Sequence, residues 1–430
     1  MTSSKQKVFF GFFLIYFIIS VFDVYILVYI PLYYFNILNV NRTELAFIQS
    51  LTYLTLIVLP ILGFLYDRYI KSESQMKRLF YYSFVPLCCS FLIFIYFKEY
   101  LALYGIFVFL KFISSSLIRT GTTGTFLRYV SEGDTKNKRM NRRLKLIFII
   151  NSATALTYFI ISLVFNTLVV NIESLYSWNS FFIIGWIISI PMISLTFFYF
   201  RKIVFFEKND NKEDKDKIKK SRLGRVEFIS IIIVYLAVFL GFSDALYLYP
   251  KSDWIYDNFS ETAFRTYVSL YFIFSFCSFF GYYLFYLLNK RFHNHRKLIF
   301  ITICFYTPLM FLITISLFPF FMLLQALLSV LGSIANLTYV SHVTDFSIEM
   351  KHRTFIYQVL TTPLTFANII FLPLGTYLSN YIPFEALIVI SCFLFIISLF
   401  LLFITFFLKK KEKVQVIKYC IKSVKESQVS

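Results

Sequence analysis

Apolar stretches of about twenty residues alternate with short clusters of charge along almost the whole chain. Twelve can be placed, at about 8–30, 45–66, 79–97, 100–127, 144–169, 180–200, 227–249, 263–288, 298–318, 320–341, 355–378 and 386–408. At 1.5 Å per helical residue each is long enough to cross about 30 Å of hydrocarbon. Backbone in lipid has no water to bond, so a spanning segment is a helix or part of a closed barrel. Runs of this length do not fit the roughly ten-residue alternation of barrel strands. The pattern therefore predicts an all-α polytopic membrane protein with twelve transmembrane helices.

Charge sets the orientation. With the N-terminus inside, 36 of the 42 Lys and Arg fall in inner segments. Arg42, Lys98, Lys251 and Arg265 lie at outer connections, and Lys111 and Arg119 lie within the fourth span. Cytoplasmic loops carry the excess of Lys and Arg, so both termini are expected in the cytoplasm. The first apolar run, 23 residues after Lys5 and Lys7, is too long for a signal-peptide core and is read as a span. The longest inner connection, 201–226, is polar with interleaved charge. It is expected to be a linker between a six-helix bundle at 1–200 and another at 227–408, with a basic tail at 409–430.

Three landmarks repeat between those halves. Pro31 and Pro250 are 219 apart, Gly63 and Gly281 are 218 apart, and the intramembrane acids Asp23 and Asp244 are 221 apart. Six spans place both halves in the same orientation, so the repeat is parallel, about an axis along the membrane normal.

Composition narrows the chemistry. The 430 residues are 58% hydrophobic and 21% aromatic, with a mean hydropathy of +0.71. The formal charge of +19 would suggest nucleic acid in a soluble protein; here the loop rule accounts for it. The six cysteines form no CxxC spacing, and none of the four histidines lies within a span. No GxxxxGK[ST] run is present, which argues against ATP-driven pumping. No metal, cofactor or nucleic acid is expected, and the protein is expected to act as a monomer in the plasma membrane. Asn41 in "NRT" and Asn258 in "NFS" fit N-glycosylation acceptors in short outer loops.

An ionised side chain at mid-membrane costs about 2.5–3.5 kcal/mol on insertion scales, so Asp23, Lys111, Arg119 and Asp244 each require a partner or a cavity. Lys111, Ser115, Arg119 and Thr122 are separated by 4, 4 and 3 residues, one stripe of a helix. In the tenth span Gln325, Ser329, Ser333 and Asn336 repeat that spacing. Both stripes suit cavity lining, and small polar residues also suit plain helix packing. Tyr16, Ser20 and Asp23 form a shorter stripe in the first span. Counted from the outer ends, Asp23 lies about 10 Å deep and Lys111 about 16 Å deep, within reach of each other by tilt and side-chain length. Asp23 can be read as half of an ion pair with Lys111 or as a carboxylate that takes up protons. Asp244 lies nearer the outer surface and can line the path or be wetted there. The stripe of Gln358, Thr361, Thr365 and Asn368 in the eleventh span reads as interhelical packing.

"GFLYDRYIK", Gly63 to Lys71, follows the second span. It resembles the loop signature of the major facilitator superfamily at Gly63, Leu65, Asp67, Arg68 and Lys71, with Ile70 where a second Gly is usual and Ser72 where another basic residue is common. Arg119 in "RTGTTG" is similar to the arginine-plus-glycine motif of that family's fourth span. Gly281 with "NKR" at 289–291 looks like a degenerate copy of the loop motif, without its acid. The resemblance implies a secondary transporter working by alternating access, with spans 1, 4, 7 and 10 lining a central cavity. It further implies that Gly63 allows close helix contact, that Asp67 pairs with helix ends or cations, and that Arg68 joins a cytoplasmic charge cluster holding the outward-facing state. With Lys71 these would form a conformational switch.

The expectation is thus a symporter or facilitator for a small polar or charged solute. Asp23, Lys111 and Arg119 lead the cavity residues, and Ser115, Asp244, Gln325, Ser333 and Asn336 are further candidates. A cationic pair would attract an anionic group, and Asp23 could couple protons or hold an amine. The rivals are a membrane-embedded enzyme acting on a lipid-linked substrate, or a receptor or lipid scramblase that transports no solute. The enzyme would have to use "KSDWIYDNFSE" at 251–261, read here as a solvated connection.

Overall fold

A computed structural model describes residues 2–41, 44–48, 57–70, 72–131, 136–169, 174–202, 225–248, 250–291, 295–350 and 352–427, and over these the ordered elements are all helical. In the first half α1 (Thr2–Val24) passes through a π-helical turn (Tyr25–Tyr29) into α2 (Ile30–Asn36). Pro31 sits at the start of α2 and brings no backbone N–H, which is where a helix widens. There follow α3 (Leu59–Tyr69), α4 (Glu73–Phe97), α5 (Leu101–Ser131), α6 (Lys136–Leu168) and α7 (Leu175–Lys202). Ser72 caps α4: it accepts from the Gln75 backbone, and the Gln75 side chain accepts from the Ser72 N–H.

The second half opens with α8 (Arg225–Leu240), a 3-10 turn (Ser243–Tyr247), α9 (Pro250–Phe259), α10 (Glu261–Ser269) and α11 (Tyr271–Arg291). It closes with α12 (His295–Ile313), α13 (Phe318–Ile348), α14 (Arg353–Leu378) and α15 (Phe384–Ser427). Among the described residues, ten helical segments are long and apolar enough to cross a membrane, and Lys297–Ile313 is a shorter apolar one. The ten correspond to the first, third to eighth and tenth to twelfth expected spans. Of the second expected span, the residues described are 44–48 and those from 57 onward.

Four expectations need correction. The stretch 227–249 is not one helix: α8 ends at Leu240 and the chain continues in the 3-10 turn. The connection at 251–261 is not simply solvated, because α9 buries Lys251, Trp254 and Ile255. Trp254 stacks on Phe384 at 4.8 Å between ring centroids and donates to Glu385 Oε1 at 2.7 Å. α13 runs on to Ile348, beyond 341, and α15 crosses the boundary drawn at 408 without a break.

Helix contacts recur with a period of six spans. In the first half α1 packs on α6 and α7, α4 on α5 and α7, and α3 on α5. In the second, α8 packs on α14 and α15, α12 on α13 and α15, and α11 on α13. Between the halves α6 packs on α11 and α3 on α14. A two-fold that carries the second span onto the eighth and the fifth onto the eleventh exchanges these last two contacts. Lipid supplies little apolar drive for helix association, so shape and polar contacts decide it. In the first half an aromatic cluster does much of this, with Tyr29 on Phe165 at 4.3 Å and Tyr25 on Phe181 at 4.7 Å. Large apolar side chains such as Tyr82, Val85, Phe305 and Phe393 remain exposed on the outside, where acyl chains would meet them.

Candidate functional site

Asp23 lies at the end of α1, where the π-helical turn begins, and faces α5. Lys111 Nζ donates to its Oδ1, and Arg119 Nη2 donates to its Oδ2 at 2.7 Å. Lys111 and Arg119 are eight residues apart, about 12 Å along the helix, and the carboxylate lies between them. The three are not equally enclosed. The Lys111 side chain is 0% exposed and that of Asp23 9%, whereas that of Arg119 is 35% exposed. Lys111 also lies 4.1 Å from the centroid of the Phe112 ring. One carboxylate between two cations leaves the cluster a formal charge of +1, and only Arg119 presents it to open space.

Some polar atoms of the candidate stripes are unsatisfied. Ser115 Oγ, Arg119 Nε, Gln325 Nε2 and Asn336 Oδ1 are buried without a hydrogen-bond partner among the described residues. Buried polar groups are ordinarily paired, so such atoms mark places where water or a ligand would bond. Thr122 instead returns its hydroxyl to Ile118 O at 2.9 Å, and Ser20 donates to Thr154 Oγ1 at 3.0 Å, tying α1 to α6. Thr361 and Ser329 likewise bond carbonyls of their own helices.

In the second half the acid has other company. Asp244 stands on the 3-10 turn and accepts from Tyr306 Oη of α12 at 3.3 Å. It lines a cavity of about 60 Å³ whose other walls include Val238, Ile303, Tyr306, Gly332 and Phe395. Gln325 and Ser333 are buried, and Asn336 is half-buried. Gln325 Oε1 accepts from Lys251 Nζ at 3.3 Å, with Lys251 only 8% exposed. Neither Lys251 nor Tyr306 was singled out from sequence. A signal for Lys251 does exist: with Trp254 and Ile255 it forms one face of a helix, spaced 3 and 4 from Lys251. Tyr306 is one of 32 tyrosines and carries no such mark.

A third set of contacts joins the halves. Asp67 Oδ2 accepts from the backbone N–H groups of Thr354 at 3.0 Å and Phe355 at 3.2 Å, the free amides that open α14. A carboxylate there satisfies orphan donors and meets the positive end of the helix dipole. Gly63 makes the approach possible, since a Cβ on it would lie 3.0 Å from Thr354 O and 3.1 Å from Phe355 N. Around this contact Arg128 donates to Ile70 O at 2.7 Å and Arg353 to Ser131 Oγ at 2.8 Å. Asp345 of α13 pairs with Arg143 of α6 and lies 3.0 Å from His295 Nε2.

These contacts revise the expected motif. Arg68 is exposed over the Tyr69 ring at 5.5 Å and enters no ion pair among the described residues; Arg128 and Arg353 are the cations at this contact. Lys71 lies outside the described residues. Gly281, the repeat mate of Gly63, abuts Val330 O and Ser333 of α13, not a helix of the other half.

Residues 257–419 match the sequence model of the Major Facilitator Superfamily. The chain is thus similar to this superfamily by sequence over that segment, and solved structures of transporters share its fold over nearly its whole length. The human organic anion transporter MFSD10 superposes with a TM-score of 0.65 at 14% identity, covering 92% of this chain and 99% of that one. The transporter FucP in its outward conformation also scores 0.65 at 14% identity, over 92% of this chain and 98% of its own. A D-xylose–proton symporter scores 0.67 at 13% identity, over 93% and 97%. At such identities the likeness is one of fold alone. No curated protein matches the chain by sequence.

Proposed function

We propose that the protein is a secondary transporter of a small polar or charged solute. It works by alternating access between two six-helix bundles, 1–200 and 227–408. In this reading twelve helices span the membrane and both termini are cytoplasmic. The carrying observation is Arg119: a charged side chain 35% exposed in the middle of a 31-residue apolar helix needs a polar space within the membrane. Its bond to Asp23 fixes its orientation and leaves its Nε open. Arg119 would take an anionic or strongly polar group of the solute, with Ser115, Gln325 and Asn336 supplying neutral hydrogen bonds. The Asp67 clasp on α14 would close the cytoplasmic end, holding a state open to the outside. Release of that clasp would be part of the switch.

Uptake by proteoliposomes tests this, using radiolabelled sugars, amino acids and short carboxylates, each with and without a pH gradient. Solute accumulated above protein-free vesicles, and lost in Arg119→Ala, is the expected result. If no solute moves while labelled lipids flip between leaflets, the transporter reading fails and a scramblase takes its place.

A further inference from the structure

We propose that Asp244 is a proton-binding site, and that this carboxyl group, not Asp23, gains and loses a proton during the working cycle. The argument begins with what each acid faces. Asp23 is held by two cations that would have to be given up if it were protonated. Asp244 has no cation within ion-pairing distance among the described residues, and its polar side-chain contact is the Tyr306 hydroxyl. Lys251 is the charged group whose field reaches it, but the ammonium is engaged by Gln325 and lies over the Tyr267 ring at 5.5 Å. The other titratable groups facing Asp244 are Tyr247 on its own turn, Tyr306 on α12 and Tyr339 on α13, with Cys392 of α15 beside Tyr247. A carboxylate so placed pays the cost of a charge removed from water, and a proton relieves it.

The cavity supplies the remaining requirements. At about 60 Å³ it holds a few waters, taking roughly 10–15 Å³ for each. These can deliver the proton: the carboxylate and a hydronium ion become the carboxylic acid and water, with one bond made and one broken. A metal cation fits poorly, because hard cations take about six oxygen ligands. Among the lining residues only Asp244, Tyr306 and Tyr339 carry side-chain oxygens.

The position of the acid gives the proton a mechanical outlet. A Cβ on Gly375 would lie 1.8 Å from Leu246 O, so α14 rests directly on the turn that carries Asp244. The other end of α14, at Thr354 and Phe355, is the end that Asp67 and Gly63 clasp. Twenty-one residues, about 32 Å of helix, separate Thr354 from Gly375. A charge change at the turn thus acts on the same helix that locks the two halves together.

The proposal deepens the transporter reading and rests on it for its purpose, but proton uptake can be read without any solute. The test is pH-difference infrared spectroscopy of the full-length protein in lipid, following the protonated-carboxyl stretch. The wild type should show a carboxyl signal growing as pH falls. Asp244→Asn should remove it, Asp23→Asn should keep it, and Asp244→Glu should retain it at a shifted frequency. Tyr306→Phe, which removes a single hydroxyl, should move its midpoint and so serves if the Asn variants fold poorly. The same spectrum in wild type and Asp244→Asn, or a signal lost in Asp23→Asn alone, would overturn the proposal. A titrating Asp244 signal in a protein that moves no solute would uphold the site and overturn the transporter reading instead.

Discussion

Asp23 and Asp244 stand 221 residues apart at matching places in the two halves, yet the first meets two cations and the second a tyrosine hydroxyl. The source of the difference is a single register on two equivalent helices. Where α5 carries Lys111 and Arg119, α13 carries Gln325 and Ser333 at the same 4, 4, 3 spacing. The nearby cation in the second half, Lys251, comes from α9 and is spent on Gln325. Duplication thus preserves where a polar face points, while substitution decides what it carries. The first half keeps a fixed charge cluster with one partly exposed arginine; the second keeps an acid beside a small cavity.

The largest test of this contrast removes each acid in turn. Asp23→Asn leaves the buried Lys111 and the partly exposed Arg119 without their anion, and breaking a buried pair such as Lys111–Asp23 costs about 3–5 kcal/mol. Asp244→Asn keeps a carbonyl oxygen to accept from Tyr306 and strands no cation, so it should cost no more than about 1 kcal/mol. Denaturant unfolding in detergent measures both. Adding Lys111→Met to Asp23→Asn should recover part of the loss, because one stranded cation goes with it. Equal losses from the two acids would erase the contrast.

The paired glycines provide the next comparison. A Cβ on Gly281 would stand 2.6 Å from Val330 O, within one half, whereas on Gly63 it meets the other half at 3.0 Å. Gly281→Val should therefore destabilise the protein by about 1–3 kcal/mol, the usual cost of overpacking. Gly63→Val can relieve its clash by parting the halves, so it should change stability less and lengthen the distance between spin labels on α3 and α14. A label distance that moves in Gly281→Val and stays fixed in Gly63→Val would reverse this assignment.

Much of this organisation is legible in the residues, and the gaps have physical causes. Hydropathy finds apolar lengths, and the regular placement of Lys and Arg orders them. The stripes on the fourth and tenth spans follow from helical period alone. What a window average cannot register is a backbone break, and "GFSDALY" at 241–247 is apolar enough to pass as helix although it forms a turn. The same averaging hides α9, whose charges lower its hydropathy while Trp254 and Ile255 bury one face. Spacing also says that Lys111 and Arg119 share a face, but not that one carboxylate reaches both. Arg143 and Asp345 are 202 residues apart in the sequence, and no local pattern could join them.

A smaller effect separates the polar partners of the second half. Gln325→Leu removes one acceptor of Lys251 Nζ, a bond of 3.3 Å, and should cost about 1 kcal/mol. Thermal unfolding measures the cost, and a cost above that of Asp23→Asn would contradict the ranking.

The smallest expected effect concerns the motif residue that stands apart from its neighbours. Asp67 and Arg68 are adjacent in sequence, but Asp67 bonds two amides of the other half while Arg68 is exposed over the Tyr69 ring. An exposed cation–π contact contributes about 0.5–1 kcal/mol, and none of it bridges the halves. Arg68→Ala should therefore leave the α3–α14 label distance unchanged and lower stability by no more than that amount. Asp67→Ala, which strands two helix-opening amides and removes their counter-charge, should lengthen the distance. If Arg68→Ala parts the halves as far as Asp67→Ala does, the arginine acts across the joint, and the clasp cannot be assigned to the aspartate alone.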